Sequence, residues 1–124
     1  MVTEDWIEQL GVLVVEMDLG GDACGYYDDR IRTIFIDRRL SPIQWTSTMA
    51  HELGHAYYRH VGTTPRGERE ASEWAARQLI PHENFMEVAA IYDNAVAMAN
   101  ELGVLPRDVH NYMGWVRREW RMAG

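Results

Sequence analysis

Every stretch of this chain with strand character lies before Leu40, and everything after it carries a helical period. That partition constrains the fold most, because strands first and helices after give an α+β domain rather than an alternating one. "VLVVEMDL" (12–19) is apolar and β-branched and is stopped by Gly20 and Gly21, so it reads as a strand. "CGYYDD" and "RTIFIDRR" (32–39) read as two more, with a turn around Asp28–Asp29–Arg30. The expectation is a short N-terminal antiparallel sheet within residues 12–39. Ahead of it, "TEDWIEQL" (3–10) reads as a short helix capped by Thr3, with Trp6, Ile7 and Leu10 on one face.

Ser41 followed by Pro42 is a strong helix opening, a cap and then a first-turn proline. The helix it opens is predicted over 42–61 and ends near Gly62. "TTPRG" reads as a turn, and a second helix over 67–80 places Ala71, Trp74, Ala75 and Leu79 on one face before Pro81 stops it. The C-terminal helices fall within 82–122: a helical region over 82–102, a turn at "GVLP", and a last helix from Arg107 to Met122. No repeat, low-complexity segment or linker interrupts the pattern, so residues 1–124 read as a single domain.

The formal net charge of −7 argues against broad nucleic-acid binding, which needs clustered positive charge. Residues 94–124 could be read as a DNA-binding helix-turn-helix, but no basic stripe supports it, so a structural or substrate-docking helical pair is the better reading. The longest strongly apolar run, "GVLVV", is far short of a membrane span. The acidic, amphipathic N-terminus is unlike a signal peptide, and one cysteine, Cys24, makes no internal disulfide. These features point to a soluble cytoplasmic protein.

Within the first long helix lies "HELGH", residues 51–55. Residues four apart on a helix sit one turn apart on one face, so His51 and His55 can present two imidazole nitrogens to one zinc ion. Glu52 lies about 100° round from His51. It falls beside the metal, where it can take a proton from water there. Trp45, Met49, Ala50, Leu53 and Tyr57 would bury this helix, and Gly54 within it suggests close packing against a neighbour.

Two histidines do not complete a catalytic site, which usually has three protein ligands and one open position. The extended pattern H-E-x-x-H-x-x-G-x-x-H is excluded, because Tyr58 and Val61 stand where it needs Gly and His. His60 is one position early and about 140° round the helix, so it points away. The remaining option is a carboxylate from the next helix, returning antiparallel after a short turn. Spacing alone leaves Glu68 and Glu70 open. The apolar face through Ala71, Ala75 and Leu79 continues back to Glu68, while Glu70 falls off it with Glu73 and Arg77, so the geometry favours Glu68.

"HELGHAYYRH" followed by "EREASEWAARQLIP" resembles the ImmA/IrrE family of zinc metallopeptidases. That family's pattern is H-E-x-x-H and then E-x-[EQ]-A-x-x-[FW]-A-x-x-L-[LI]-x-P. The resemblance runs from about Thr33 to Pro81 and more weakly through "ELGVLPRDVHNYM"; Trp74 replaces the commoner Phe, and Tyr112 stands where Arg is usual. It implies a small zincin-like, gluzincin-type fold, His51, His55 and Glu68 as metal ligands, and Glu52 as catalytic base. Zn2+ is the implied ion, with Mn2+ the alternative. The implied substrate is a protein, a helix-turn-helix transcriptional repressor of a phage, mobile element or stress response. The competing expectation is a non-catalytic binding module that sequesters a regulator, its zinc structural or vestigial.

Tyr57, Tyr58, His82 and His110 could each stabilise the oxyanion at a scissile carbonyl, and the sequence does not choose among them. The "RTIFIDRR" strand could lie beside the site and receive substrate by strand addition, or be an ordinary amphipathic strand. Cys24 reads as a structural thiol in a strand.

Overall fold

The computed structural model describes the backbone of residues 2–123 and the side chains of residues 3–120. Its elements, in chain order, are α1 (Val2–Leu10), β1 (Leu13–Met17), β2 (Gly25–Asp28), β3 (Thr33–Asp37), α2 (Pro42–Tyr58), α3 (Pro65–Leu79), α4 (His82–Ile91), α5 (Ala95–Leu102) and α6 (Pro106–Ala123). The α+β class holds. Met1 and Gly124, the ends of the expected domain, lie outside the described residues.

The sheet is mixed, not antiparallel as expected. Its order is β1-β3-β2, with β1 parallel to β3 (Val15 opposite Phe35) and β2 antiparallel to β3 (Tyr26 opposite Phe35). A meander would have put β2 in the middle. Instead the connection over residues 18–24, relaxed by Gly20 and Gly21 at φ 74° and 55°, carries the chain past the place β3 will take. The physical reason is burial: Ile34 and Ile36 of β3 are wholly buried, whereas Leu13, Val15 and Met17 of β1 are exposed. The strand that buries most takes the centre.

Ile34 and Ile36 pack with Met49, Ala50, Leu53, Ala56 and Trp74 in a first core, which Trp6, Ile7 and Leu10 of α1 cover. Thr3 does not cap α1 as expected; it lies inside the helix, its buried hydroxyl unpartnered among the described residues. A second core joins α3 to the last three helices through Ala76, Ile80, Phe85, Val88, Met98, Val109 and Tyr112. The helical region expected over 82–102 breaks at Tyr92, whose backbone is extended, and restarts where Asn94 Oδ1 accepts from Ala97 N at 2.9 Å. No helix of the described residues is long and apolar enough to cross a membrane.

Two caps set the helices that matter most. Ser41 and Gln44 form a reciprocal capping box at the start of α2 (3.0 and 3.3 Å), with Pro42 in the first turn. Thr64 Oγ1 accepts from Gly67 N at 2.9 Å and Pro65 follows, so α3 begins two residues before the expected 67. The pair then meets at a glycine: a Cβ on Gly54 would lie 2.7 Å from Ala71 O and 2.9 Å from Ala71 Cα. Only hydrogen fits there.

Candidate metal centre

That close contact brings α3 against the face of α2 carrying the two histidines. His51 Nε2 and His55 Nε2 lie 3.1 Å apart, and Glu68 Oε2 lies 2.5 Å from His55 Nε2 and 3.5 Å from His51 Nε2. Among the described residues these three form the group of donors able to hold a metal ion. Tetrahedral ligands at zinc distance sit about 3.3 Å from one another, so the triangle has the right size. Glu68 Oε2 is buried yet accepts no hydrogen bond with proper direction from either ring. A buried carboxylate oxygen with its lone pairs facing two imidazole nitrogens fits a cation better than it fits either ring.

Electrostatics favour the same assignment. Burial pushes His51 down to about 4, helped by the neighbouring His55 and opposed by Glu68. Burial likewise lowers His55, against the pull of Glu68. Both rings are therefore neutral at pH 7, the form in which imidazole binds metal. Glu52 is 7% exposed, outside the ligand triangle, and its carboxyl is pushed up to about 8, first by burial and then by the charge on Glu68. A cation at the triangle would draw that value down again.

Two clefts open on either side of the triangle, of about 270 and 310 Å³. Ser47, Thr48, His51, Ser72, Arg107 and Asn111 line the first; Tyr26, Tyr27, His55, His60 and Glu68 line the second; Gly25 and Glu52 belong to both. β2 is the sheet edge beside them, and β3, which the sequence offered for that place, is the central strand. A Cβ on Gly25 would meet Phe35 O and Thr48 Cγ2 at 3.0 Å and Glu52 Cγ at 3.6 Å, so the missing side chain lets β2 lie directly on α2.

His60, expected to point away, instead lies 3.0 Å from His55 Nδ1 through its own Nδ1, and its Nε2 lies 3.1 Å from Glu70 Oε1. The expectation assumed a helix continuing to 61, but α2 stops at Tyr58. Ser72 Oγ reaches the other histidine of the triangle, 3.2 Å from His51 Nδ1. Glu70 is not part of the His51–His55–Glu68 group.

None of the four oxyanion candidates lines either cleft. Tyr57 packs on Trp6 and Trp74, Tyr58 stacks on His60, and His82 is 2.7 Å from Tyr112 OH at the second core. His110 is exposed on α6. No sequence pattern singles out Arg107, whose guanidinium donates to Ser47 Oγ at 3.0 and 3.2 Å within the first cleft. A cation two residues into a helix carries no local signal; only the packing of α6 on α3 brings it here. Cys24 precedes β2 rather than lying within it, and lines the first cleft.

The family model for the IrrE N-terminal-like domain, Peptidase_M78, matches residues 7–110. The chain belongs to that family. The match runs from within α1 into α6, and membership of this peptidase family supports a metallopeptidase, with His51, His55 and Glu68 as a possible metal site. No curated protein matched the chain by sequence.

Proposed function

We propose that this Peptidase_M78 domain is a zinc-dependent endopeptidase that cleaves a protein substrate in the cytoplasm, a helix-turn-helix repressor of a phage, mobile element or stress response. The observation that carries the reading is the position of Glu52, buried beside the His51–His55–Glu68 triangle and facing a cleft on each side of it. Clefts on both sides suit a chain that continues past the scissile bond in each direction, which favours endopeptidase action over trimming of ends.

His51, His55 and Glu68 would hold the ion. Two imidazoles and a carboxylate are ordinary zinc ligands, with manganese the alternative. Zinc, when bound, lowers the pKa of its water to around 7 and polarises the scissile carbonyl. An extended substrate segment pairs with the free edge of β2, whose backbone lies against α2 at Gly25. Glu52 takes a proton from the attacking water as the oxygen bonds to the peptide carbon, then delivers it to the departing amine nitrogen.

The test is incubation of the zinc-loaded protein with candidate helix-turn-helix repressors, with and without chelator. Cleavage is expected for wild type and not for Glu52→Gln, with zinc retained in both. A regulator bound but uncut by the zinc-loaded protein would refute the peptidase reading in favour of sequestration. Undiminished cleavage by Glu52→Gln would refute the assigned base.

A further inference from the structure

α2 ends in a turn that the helical period cannot anticipate. Arg59 takes the left-handed conformation (φ 58°, ψ 42°), with its N–H donating to Ala56 O at 3.2 Å and the next N–H, from His60, to His55 O at 3.0 Å. These are the paired bonds of a Schellman turn. It is built here without glycine, at a cost of about 1 kcal/mol for a side-chain-bearing residue. Asp29 holds the Arg59 guanidinium with two bonds of 3.0 and 3.2 Å, which secures the strained residue. The turn swings His60 back over the last turn of α2. Its ring stacks on Tyr58 (centroids 5.3 Å, 14° between planes) and lies against Gly67, whose added Cβ would sit 3.6 Å from ring atoms Cε1 and Nδ1.

We infer that His60, backed by Glu70, is a positioning residue that fixes the tautomer and ring orientation of His55 for metal binding. Two Nδ1 atoms 3.0 Å apart need one proton between them. With His55 Nε2 turned toward His51 and Glu68, the proton belongs on His55 Nδ1, which donates to His60 Nδ1. His60 must then carry its own proton on Nε2, where Glu70 Oε1 accepts it at 3.1 Å. Glu70 Oε2 faces Arg66 at 3.7 Å. Each proton position is dictated by the next group in the line, so the lone pair at His55 Nε2 is set from the surface inward. His51 has a simpler partner in Ser72, which leaves His55 as the ligand whose orientation this line controls.

The inference rests on the metal centre proposed above, and zinc binding separates the two. Zinc affinity would be measured by competition with a chromophoric chelator, alongside thermal melts of the metal-free proteins. Wild type should bind one zinc ion; if it binds none, the metal centre itself is refuted and this inference with it. If it binds, His60→Ala should weaken zinc about tenfold to hundredfold. His60→Asn, whose amide oxygen can replace Nδ1 as acceptor, should recover most of that loss. Glu70→Gln, which keeps an acceptor oxygen, should stay close to wild type, whereas Glu70→Ala should not. In the His60→Ala background, Glu70→Ala should add nothing. A His60 that matters only for folding would lower the melting temperature of the metal-free protein and leave zinc affinity unchanged, and that result would overturn the inference. Should His60→Ala fail to fold, nitrogen-15 NMR of zinc-loaded wild type decides: protons on His55 Nδ1 and His60 Nε2 support the line, and a proton on His60 Nδ1 refutes it.

Discussion

Helix propensity and packing make opposite predictions for Gly54→Ala. In an isolated helix the change should stabilise by about 1 kcal/mol. In this fold the new Cβ would lie 2.7, 2.9 and 3.1 Å from O, Cα and C of Ala71. Comfortable contact between carbon atoms begins near about 3.5 Å, so α3 must withdraw by roughly 0.5–1 Å. All three obstructing atoms are backbone, and no rotamer change relieves them. Overpacking of this kind costs about 1–3 kcal/mol, and the backbone contact puts this case at the upper end. After the propensity gain, a net loss of about 1–2 kcal/mol remains, or roughly 3–10 °C in melting temperature for a domain of this size. Glu68 lies three residues before Ala71 on the same helix, and ligand distances tolerate only about 0.2 Å, so zinc affinity should fall with stability. Thermal melts of the metal-free variant and a zinc titration test both outcomes. An alanine variant that melted higher and bound zinc as wild type does would refute the packing argument and the placement of Glu68 built on it.

Glu68→Ala should abolish tight zinc binding while leaving the metal-free melt nearly unchanged, since the Glu68 side chain is 44% exposed and belongs to neither core; a large loss of metal-free stability would show a structural role instead. For Glu52→Gln, the folded carboxyl titrates near 8 against an ordinary 4.5, so its stabilising preference for the protonated form is complete below 4.5 and lost as pH rises toward 8. The neutral glutamine escapes that loss, so the metal-free variant should gain on wild type across this window by up to a few kcal/mol, read from melts at several pH values; a pH-independent difference would contradict it. Gly25→Ala should push β2 away from α2 and impair cleavage through KM while zinc affinity holds, because the new Cβ meets Phe35 O and Thr48 Cγ2 rather than a ligand. Kinetics on any cleaved peptide would check this.

What could be read from the chain was whatever depends on neighbours within a few turns of helix. Ser41–Pro42 fixed the start of α2, and the 100° step put His51 and His55 on one face and Glu68, not Glu70, on the facing side of α3. Gly54 signalled a close neighbour, which proved to be Ala71. Illegible features depended on long-range competition or on a single backbone reversal. That β3 takes the centre of the sheet goes with the complete burial of Ile34 and Ile36, a long-range packing outcome. A helical step carried one residue past Arg59 misplaces His60, because the chain turns left-handed there. Residue type alone suggests the four oxyanion candidates, but Tyr57 and His82 make contacts with Trp6, Trp74 and Tyr112 that no local pattern shows.

The opposite shifts at His51 and Glu52 have one origin, and under the proposed function it would let a ligand and a base share a helix. Burial lowers His51 to about 4 and raises Glu52 to about 8, in each case by disfavouring the charged form. Without a cation, burial thus favours neutral rings at His51 and His55 and a protonated Glu52. A divalent ion reverses only the second shift: it needs the imidazoles as they already are, and its field favours the ionised form of a carboxyl beside it. On the proposed reading, the base would therefore be generated by loading of the site. The same low-dielectric pocket that keeps the two imidazoles neutral would then keep Glu52 protonated until a cation arrived. A more exposed position for Glu52 would lose this coupling, since water would ionise the carboxyl at neutral pH with or without metal.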